Sequence, residues 1–208
     1  MKKLFINILS VSLIACFACE PRSQTKPTDS KTTPQQTASP KHDLSKWQTV
    51  LLEEKGIKFQ LPPDWRHDDS DLKSEKENFT VEAVEWNTPA QEMIRIFVTT
   101  HHKGFVSLSG KAASTEERLG EKLQSVTKGA KDDSSISDVK KFKLSGVEGV
   151  FRILNLNLKE EDGGTRRGIL WTGYRVYQGK GQEIDISISA NPKSEEILRT
   201  IFSTFEFK

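Results

Sequence analysis

Beyond Cys19 the 208-residue chain has no cysteine; Cys16 and Cys19 are its only two. A disulfide framework for the body is thereby excluded, and its stability must come from an ordinary apolar core. Long apolar runs are scarce too. The longest, Leu4 to Ala18, is interrupted by Asn7, Ser10, Ser12 and Cys16 and falls short of the ~20 residues of a spanning helix. Nor is there an excess of either charge. Residues 1–41 carry six basic and two acidic side chains of the chain's 31 and 29, which leaves 25 basic and 27 acidic for residues 42–208. Such a near-neutral body lacks the basic footprint of a nucleic-acid binder, so no nucleic-acid partner is expected.

Catalytic signatures are equally sparse. No G-x-S-x-G occurs, since Ser145 follows Leu144 without the first glycine, and no H-E-x-x-H occurs. Gly173 to Lys180 brushes the phosphate-loop pattern, but five residues separate the glycines and Gly181 stands where Ser or Thr would coordinate magnesium. No cofactor and no catalytic residue is expected.

What is present begins with Met1-Lys2-Lys3 before a short apolar stretch, the charged and hydrophobic parts of a secretory signal. Leu13-Ile14-Ala15-Cys16 then resembles the bacterial lipobox: a branched aliphatic at −3, a small residue at −1 and cysteine at +1. The resemblance implies cleavage before Cys16 and acylation of that cysteine. Cys16-Phe17-Ala18-Cys19 offers Cys19 as the alternative, with cysteine a poor substitute for leucine at −3. Residues 1–15 (or 1–18) thus read as a signal peptide, and the membrane is an expected partner through the N-terminal lipid. By resemblance to the enteric sorting rule, Phe17 after Cys16, or Glu20 after Cys19, is not the Asp that retains a lipoprotein in the inner membrane. The expectation is the outer membrane, with the domain facing the periplasm.

Residues 16–41 hold the modified cysteine and a tether. From Glu20 to Lys41 there are four prolines, many Ser, Thr and Gln, and a single aliphatic residue, Ala38. So little apolar surface cannot offset the entropy of ordering, so the segment reads as disordered. Treated as a coil it reaches about 25 Å on average.

Residues 42–208 suit one domain, read mostly as strands. Trp47–Glu53 and Gly56–Leu61 form a hairpin around Glu54-Lys55, with Ile57, Phe59 and Leu61 alternating with polar residues. Phe79–Trp86 and Met93–Thr100 pair next. Ser114 and Glu117 stand at capping-box spacing before a helix whose stripe is Leu119, Leu123 and Val126, with Gly129 as its stop. Val139–Leu144, Gly149–Lys159, Arg166–Tyr177 and Gln182–Ala190 continue as an antiparallel meander. Asn191-Pro192 opens a second helix bearing Ile197, Leu198, Ile201 and Phe202, and Phe205 and Phe207 alternate in a closing strand. The fold class is α+β, an antiparallel sheet with helices packed on it.

Gly56-Ile57-Lys58-Phe59-Gln60-Leu61-Pro62-Pro63-Asp64-Trp65 resembles the opening hairpin of PsbP-like domains, and Ile201-Phe202-Ser203-Thr204-Phe205-Glu206-Phe207 is similar to their closing helix-to-strand segment. That superfamily includes bacterial lipoproteins of the DcrB type. The resemblance spans residues 47–208 in element order and implies an α/β/α sandwich. It carries over no binding residue, because the motif positions serve the fold.

Four aromatic residues are candidates for an interaction surface: Trp86 beside a turn, and Trp171, Tyr174 and Tyr177 in one strand. His67, Asp68, Asp69 and Asp71 crowd three carboxylates near an imidazole, a weak candidate for a hard cation; the glycine and distal glutamate of a calcium loop are missing. His101-His102 follow a strand and should face opposite ways. Two functional classes remain open. One is a non-catalytic envelope lipoprotein that binds a protein partner or supports envelope assembly and maintenance. The other is a small-ligand carrier or enzyme using a pocket between sheet and helix, which a cleft of titratable groups with shifted pKa would favour.

Overall fold

The computed structural model describes residues 43–107, 110–157, 165–190 and 194–208. Cys16, Cys19 and the tether lie outside these residues.

Two antiparallel sheets, rather than one, organise the domain. The smaller joins β1 (Gln48–Leu52), β2 (Ile57–Leu61) and the closing β12 (Glu206–Phe207) in the order β1-β2-β12. The larger has seven strands: β3 (Arg66–Glu75), β4 (Phe79–Asn87), β5 (Met93–His101), β8 (Ile136–Leu144), β9 (Val147–Asn157), β10 (Thr165–Tyr177) and β11 (Lys180–Ala190), in the order β3-β4-β5-β11-β10-β9-β8. Two short strands, β6 (Phe105–Val106) and β7 (Ala112–Ala113), precede helix α1 (Thr115–Asp132), and α2 (Glu195–Ser203) precedes β12.

Alternation sets which element packs where. On β11, Ile184, Ile186, Ile188 and Ala190 face one side and join β2, Trp65, α2 and Phe205 in the main core. Adjacent residues on a strand point to opposite faces. Phe151 therefore enters that core while Val150 enters a smaller one with Phe105, Leu119 and Tyr174, under α1. The small sheet and α2 cover one face; α1 covers part of the other, resting chiefly on β8, β9 and β10. Because β10 sits where both faces are covered, it is buried almost continuously from Gly168 to Arg175.

Tight turns connect the meander. Ser145 and Gly146 both have positive φ, as do Gln178 and Gly179, the geometry that suits two-residue hairpins. The second turn thus lies at Gln178-Gly179, and Lys180 and Gly181 belong to β11. Helix α1 starts with the expected capping box: the Glu117 amide donates to Ser114 Oγ at 3.1 Å, and the Ser114 amide donates to Glu117 Oε2 at 2.7 Å. Gly129 is not its end. The helix continues to Asp132, whose successor donates its amide to the Gly129 carbonyl.

The acidic stretch at His67–Asp71 is no loop. It belongs to β3, an edge strand pairing only with β4 and interrupted by a bulge between Asp68 and Leu72. Charged side chains on an edge discourage a further strand from adding, which explains a strand with no apolar alternation.

Candidate functional site

The four aromatic candidates do not form a surface patch. Trp171 is 0% exposed, Trp86 6% and Tyr174 4%. Trp86 meets the Phe59 ring edge-on at 5.2 Å, and Trp171 stacks on Phe207 at 5.6 Å, both in the core under the small sheet. Tyr174 lies on the opposite face, edge-on to Phe105 at 5.7 Å. Only Tyr177 is partly exposed, its ring against the Arg175 guanidinium at 4.6 Å. Covering both faces of β10 converted an aromatic strand into core.

The His67 imidazole sits within reach of two of its three carboxylates. His67 Nδ1 lies 3.6 Å from Asp69 and Nε2 3.2 Å from Asp71, while Asp68 accepts from Asn87 Nδ2 at 3.2 Å. Among the described residues, no group of three or more His, Cys, Asp or Glu is placed to hold a metal ion. His101 and His102 diverge: His102 Nε2 lies 2.9 Å from Thr80 Oγ1, whereas His101 packs on Phe105 at 5.3 Å.

A different constellation stands out, on the sheet face beside α1. Its floor is one parity of three strands: Arg152 from β9, Thr172 and Tyr174 from β10, Glu183 and Asp185 from β11. Its wall is Arg118 and Lys122, one helical turn apart on α1. Arg118 bonds Glu121 Oε2 at 2.8 Å and reaches Glu183 Oε2 at 3.5 Å, with its guanidinium 5.7 Å from the Tyr174 ring centre. Lys122 Nζ lies 3.6 Å from Glu183 and 3.9 Å from Asp185. The Thr172 hydroxyl donates to Asp185 Oδ1. Three cations and three carboxylates thus line a trough between α1 and the strands β9, β10 and β11.

Burial perturbs these groups together. It pushes the Asp185 carboxyl up, helped by the Glu183 charge and opposed by Lys122, the Thr172 hydrogen bond and Arg152. It pushes the Tyr174 phenol up beyond the usual tyrosine range, with Glu183 reinforcing. It lowers the Arg152 guanidinium, against the pull of Asp185 and Tyr174, and lowers His101, against Glu183. Clustered perturbation of this kind, with named partners, marks a functional-site candidate. Glu183 and Asp185 alternate with the core isoleucines of β11, and α1, some 65 residues earlier, brings Arg118 and Lys122 onto them.

A pH consequence follows from Asp185. Its folded-state pKa lies above its unfolded value, so between the two the folded protein binds more protons and stability falls as pH rises. Asp185→Asn fixes the neutral form. Its melting temperature should match wild type below the ordinary aspartate range and gain on it as pH rises above that range. A variant that loses ground over that range would show the carboxylate to be favoured in the fold.

No family model and no curated protein matches the chain. Among solved structures, the solution structure of cyanobacterial PsbP from Synechocystis sp. PCC 6803 matches at TM-score 0.40 and 12% identity, covering 85% of this chain and 100% of that one. LpqN, described as involved in cell envelope biogenesis of Mycobacterium tuberculosis, matches at TM-score 0.42 and 12% identity over 78% of this chain and 90% of that one. A protein from Bacteroides thetaiotaomicron matches at TM-score 0.37 and 14% identity, over 74% of this chain and 45% of its own.

Proposed function

We propose that this chain is a lipid-anchored envelope protein, carrying on a tether a PsbP-like domain that binds a protein partner or supports envelope assembly rather than catalysing a reaction. The observation that carries the proposal is Leu13-Ile14-Ala15-Cys16 following two lysines and an apolar run, in a chain whose only other cysteine is Cys19. Among the described residues no helix is long and apolar enough to cross a membrane, and acyl chains on the cysteine would supply the attachment. The buried hairpin from Ile57 to Trp65 supports the PsbP-like reading: Ile57, Phe59, Leu61 and Trp65 all seat in the main core. With α1 and α2 on opposite faces, we read the layers as an α/β/α sandwich. Phe17, or Glu20, at the sorting position favours the outer membrane and a periplasmic domain.

Labelling cells with an alkynyl fatty acid tests the anchor. The wild type and Cys19→Ala should take the label and Cys16→Ala should not; label surviving in both single variants and in the double variant refutes lipidation. Recovery with inner-membrane markers on a sucrose gradient would refute the sorting.

A second reading is favoured by one observation, the trough of perturbed groups under α1. In it the domain carries a small ligand between sheet and helix. The two readings are compatible, since an anchored domain can also hold a ligand.

A further inference from the structure

We infer that the trough beneath α1 binds a phosphate group, with Arg152 as its principal donor and Lys122 and Ser187 beside it. The inference rests on the reading of the trough as a ligand site and names what that ligand offers.

The first ground is an excess of unused donors. Four buried side-chain nitrogens have no hydrogen-bond partner among the described residues: His101 Nε2, Arg118 Nε, Arg152 Nη1 and Arg167 Nε. The first three share the α1 face. Arg118 is already neutralised by Glu121 and Glu183, and Arg167 by Glu195 at 2.7 Å on the opposite face. Arg152 differs from both. No carboxylate among the described residues pairs with it, and Asp185, whose charge acts on it, is engaged by Thr172 and Lys122. A charged donor buried without a partner is left with its desolvation uncompensated. A ligand oxyanion would recover that loss.

The second ground is placement. Arg152 stands opposite Leu170 on β10, and Leu170 opposite Ser187 on β11, so the guanidinium, a half-buried leucine and a hydroxyl share one rung of the sheet. Thr172 and Asp185 form the adjacent rung, with Lys122 reaching down from α1. Beyond Ser187 the rung runs out toward Arg95 on β5, away from the helix. The guanidinium fork suits a phosphate bidentately, the ammonium adds a point charge and the serine a third donor. Leu170 gives the ester substituent an apolar floor. Phosphate could arrive free or on a phospholipid headgroup, which suits a protein held at a membrane.

The test uses the full chain in nonionic detergent, titrated calorimetrically with inorganic phosphate and separately with short-chain phosphatidylglycerol, at constant ionic strength. Saturable binding of inorganic phosphate assigns a free phosphate; binding of the phospholipid alone assigns a headgroup. In either arm Arg152→Gln should weaken binding roughly tenfold or more, and Lys141→Gln on the exposed edge strand β8 should leave it unchanged. Arg152→Lys, which keeps charge without the fork, should lie between and covers the case of a misfolded Arg152→Gln. Two results overturn the inference: neither probe binds saturably, or Arg152→Gln binds as tightly as wild type. Uncharged Nile red separates the inference from its premise. If it binds saturably, Leu170→Asp abolishes that binding and phosphate does not bind, the phosphate assignment falls while the ligand site stands; if nothing binds, both fall.

Discussion

Gly173→Ala should destabilise the domain by about 3–4 kcal/mol, at or above the upper end of what one added methyl normally costs in a core. Its Cβ would lie 2.0 Å from Cη2 of Trp171. The indole cannot step aside. Its Nε1 donates to the Phe142 carbonyl at 3.0 Å, its ring stacks on Phe207, and a Cβ on Gly149 of the neighbouring strand would itself stand 2.3 Å from Nε1. Two glycines, one on the same strand and one across the ladder, make the slot in which this tryptophan lies flat. The double-mutant cycle with Trp171→Leu isolates the clash. Leucine vacates the slot, so Gly173→Ala should cost little in that background, though Trp171→Leu itself is expensive through the cavity it leaves. Chemical denaturation measures all four corners. An equal cost of Gly173→Ala in both backgrounds would place its origin in the backbone and not in the ring.

How much of this was legible in the sequence depends on what each element packs against. β2 and β11 each have one covered face dominated by aliphatics, so Ile57-Phe59-Leu61 and Ile184-Ile186-Ile188 announce themselves by alternation. Helix α1 is legible from Ser114 and Glu117, because a capping box is a local device. β3 is not legible, since an edge strand gains its ladder from β4 and keeps charges on both faces. β10 misleads in the other direction. Its aromatics look like a surface patch because alternation reports polarity along one strand and cannot report that α1 closes one face while the small sheet closes the other. The trough escapes for the same reason: Glu183 and Asp185 sit on the polar side of a clean alternation, and their burial is decided by Arg118 and Lys122, distant in sequence. Local pattern gives elements; the groups that matter chemically are assembled by packing between them.

Arg175 is the clearest case of a residue invisible to sequence reading, and Arg175→Met should cost about 3 kcal/mol. The side chain is buried on the core side of β10, where periodicity asks for a hydrophobe, yet burial lowers its guanidinium pKa against the pull of Tyr177 alone and no carboxylate. Its partners are backbone oxygens from distant segments. Nη1 donates to Lys208 at 2.9 Å and Gly56 at 3.4 Å, Nη2 donates to Lys55, and Nε donates to Gln182 Oε1 at 3.0 Å. The rings of Tyr177 and Phe207 flank it at 4.6 and 5.3 Å. One cation on β10 thereby rivets the β1-β2 turn and the end of β12 to the large sheet. Methionine fills the volume but takes this donor from the Lys55 and Lys208 carbonyls, each worth about 1–3 kcal/mol where water cannot replace it, while Gly56 keeps the Lys208 amide. Partial rehydration at the rim holds the total near the figure given. Arg175→Lys keeps the charge but cannot span three carbonyls and should lose roughly half as much. Hydrogen exchange gives a local readout: protection of the Lys208 amide, which donates to Gly56 at 3.0 Å, should collapse in Arg175→Met before the large sheet opens. A variant within about 0.5 kcal/mol of wild type, with that amide still protected, would mean that β12 docks through Phe205 and Phe207 alone.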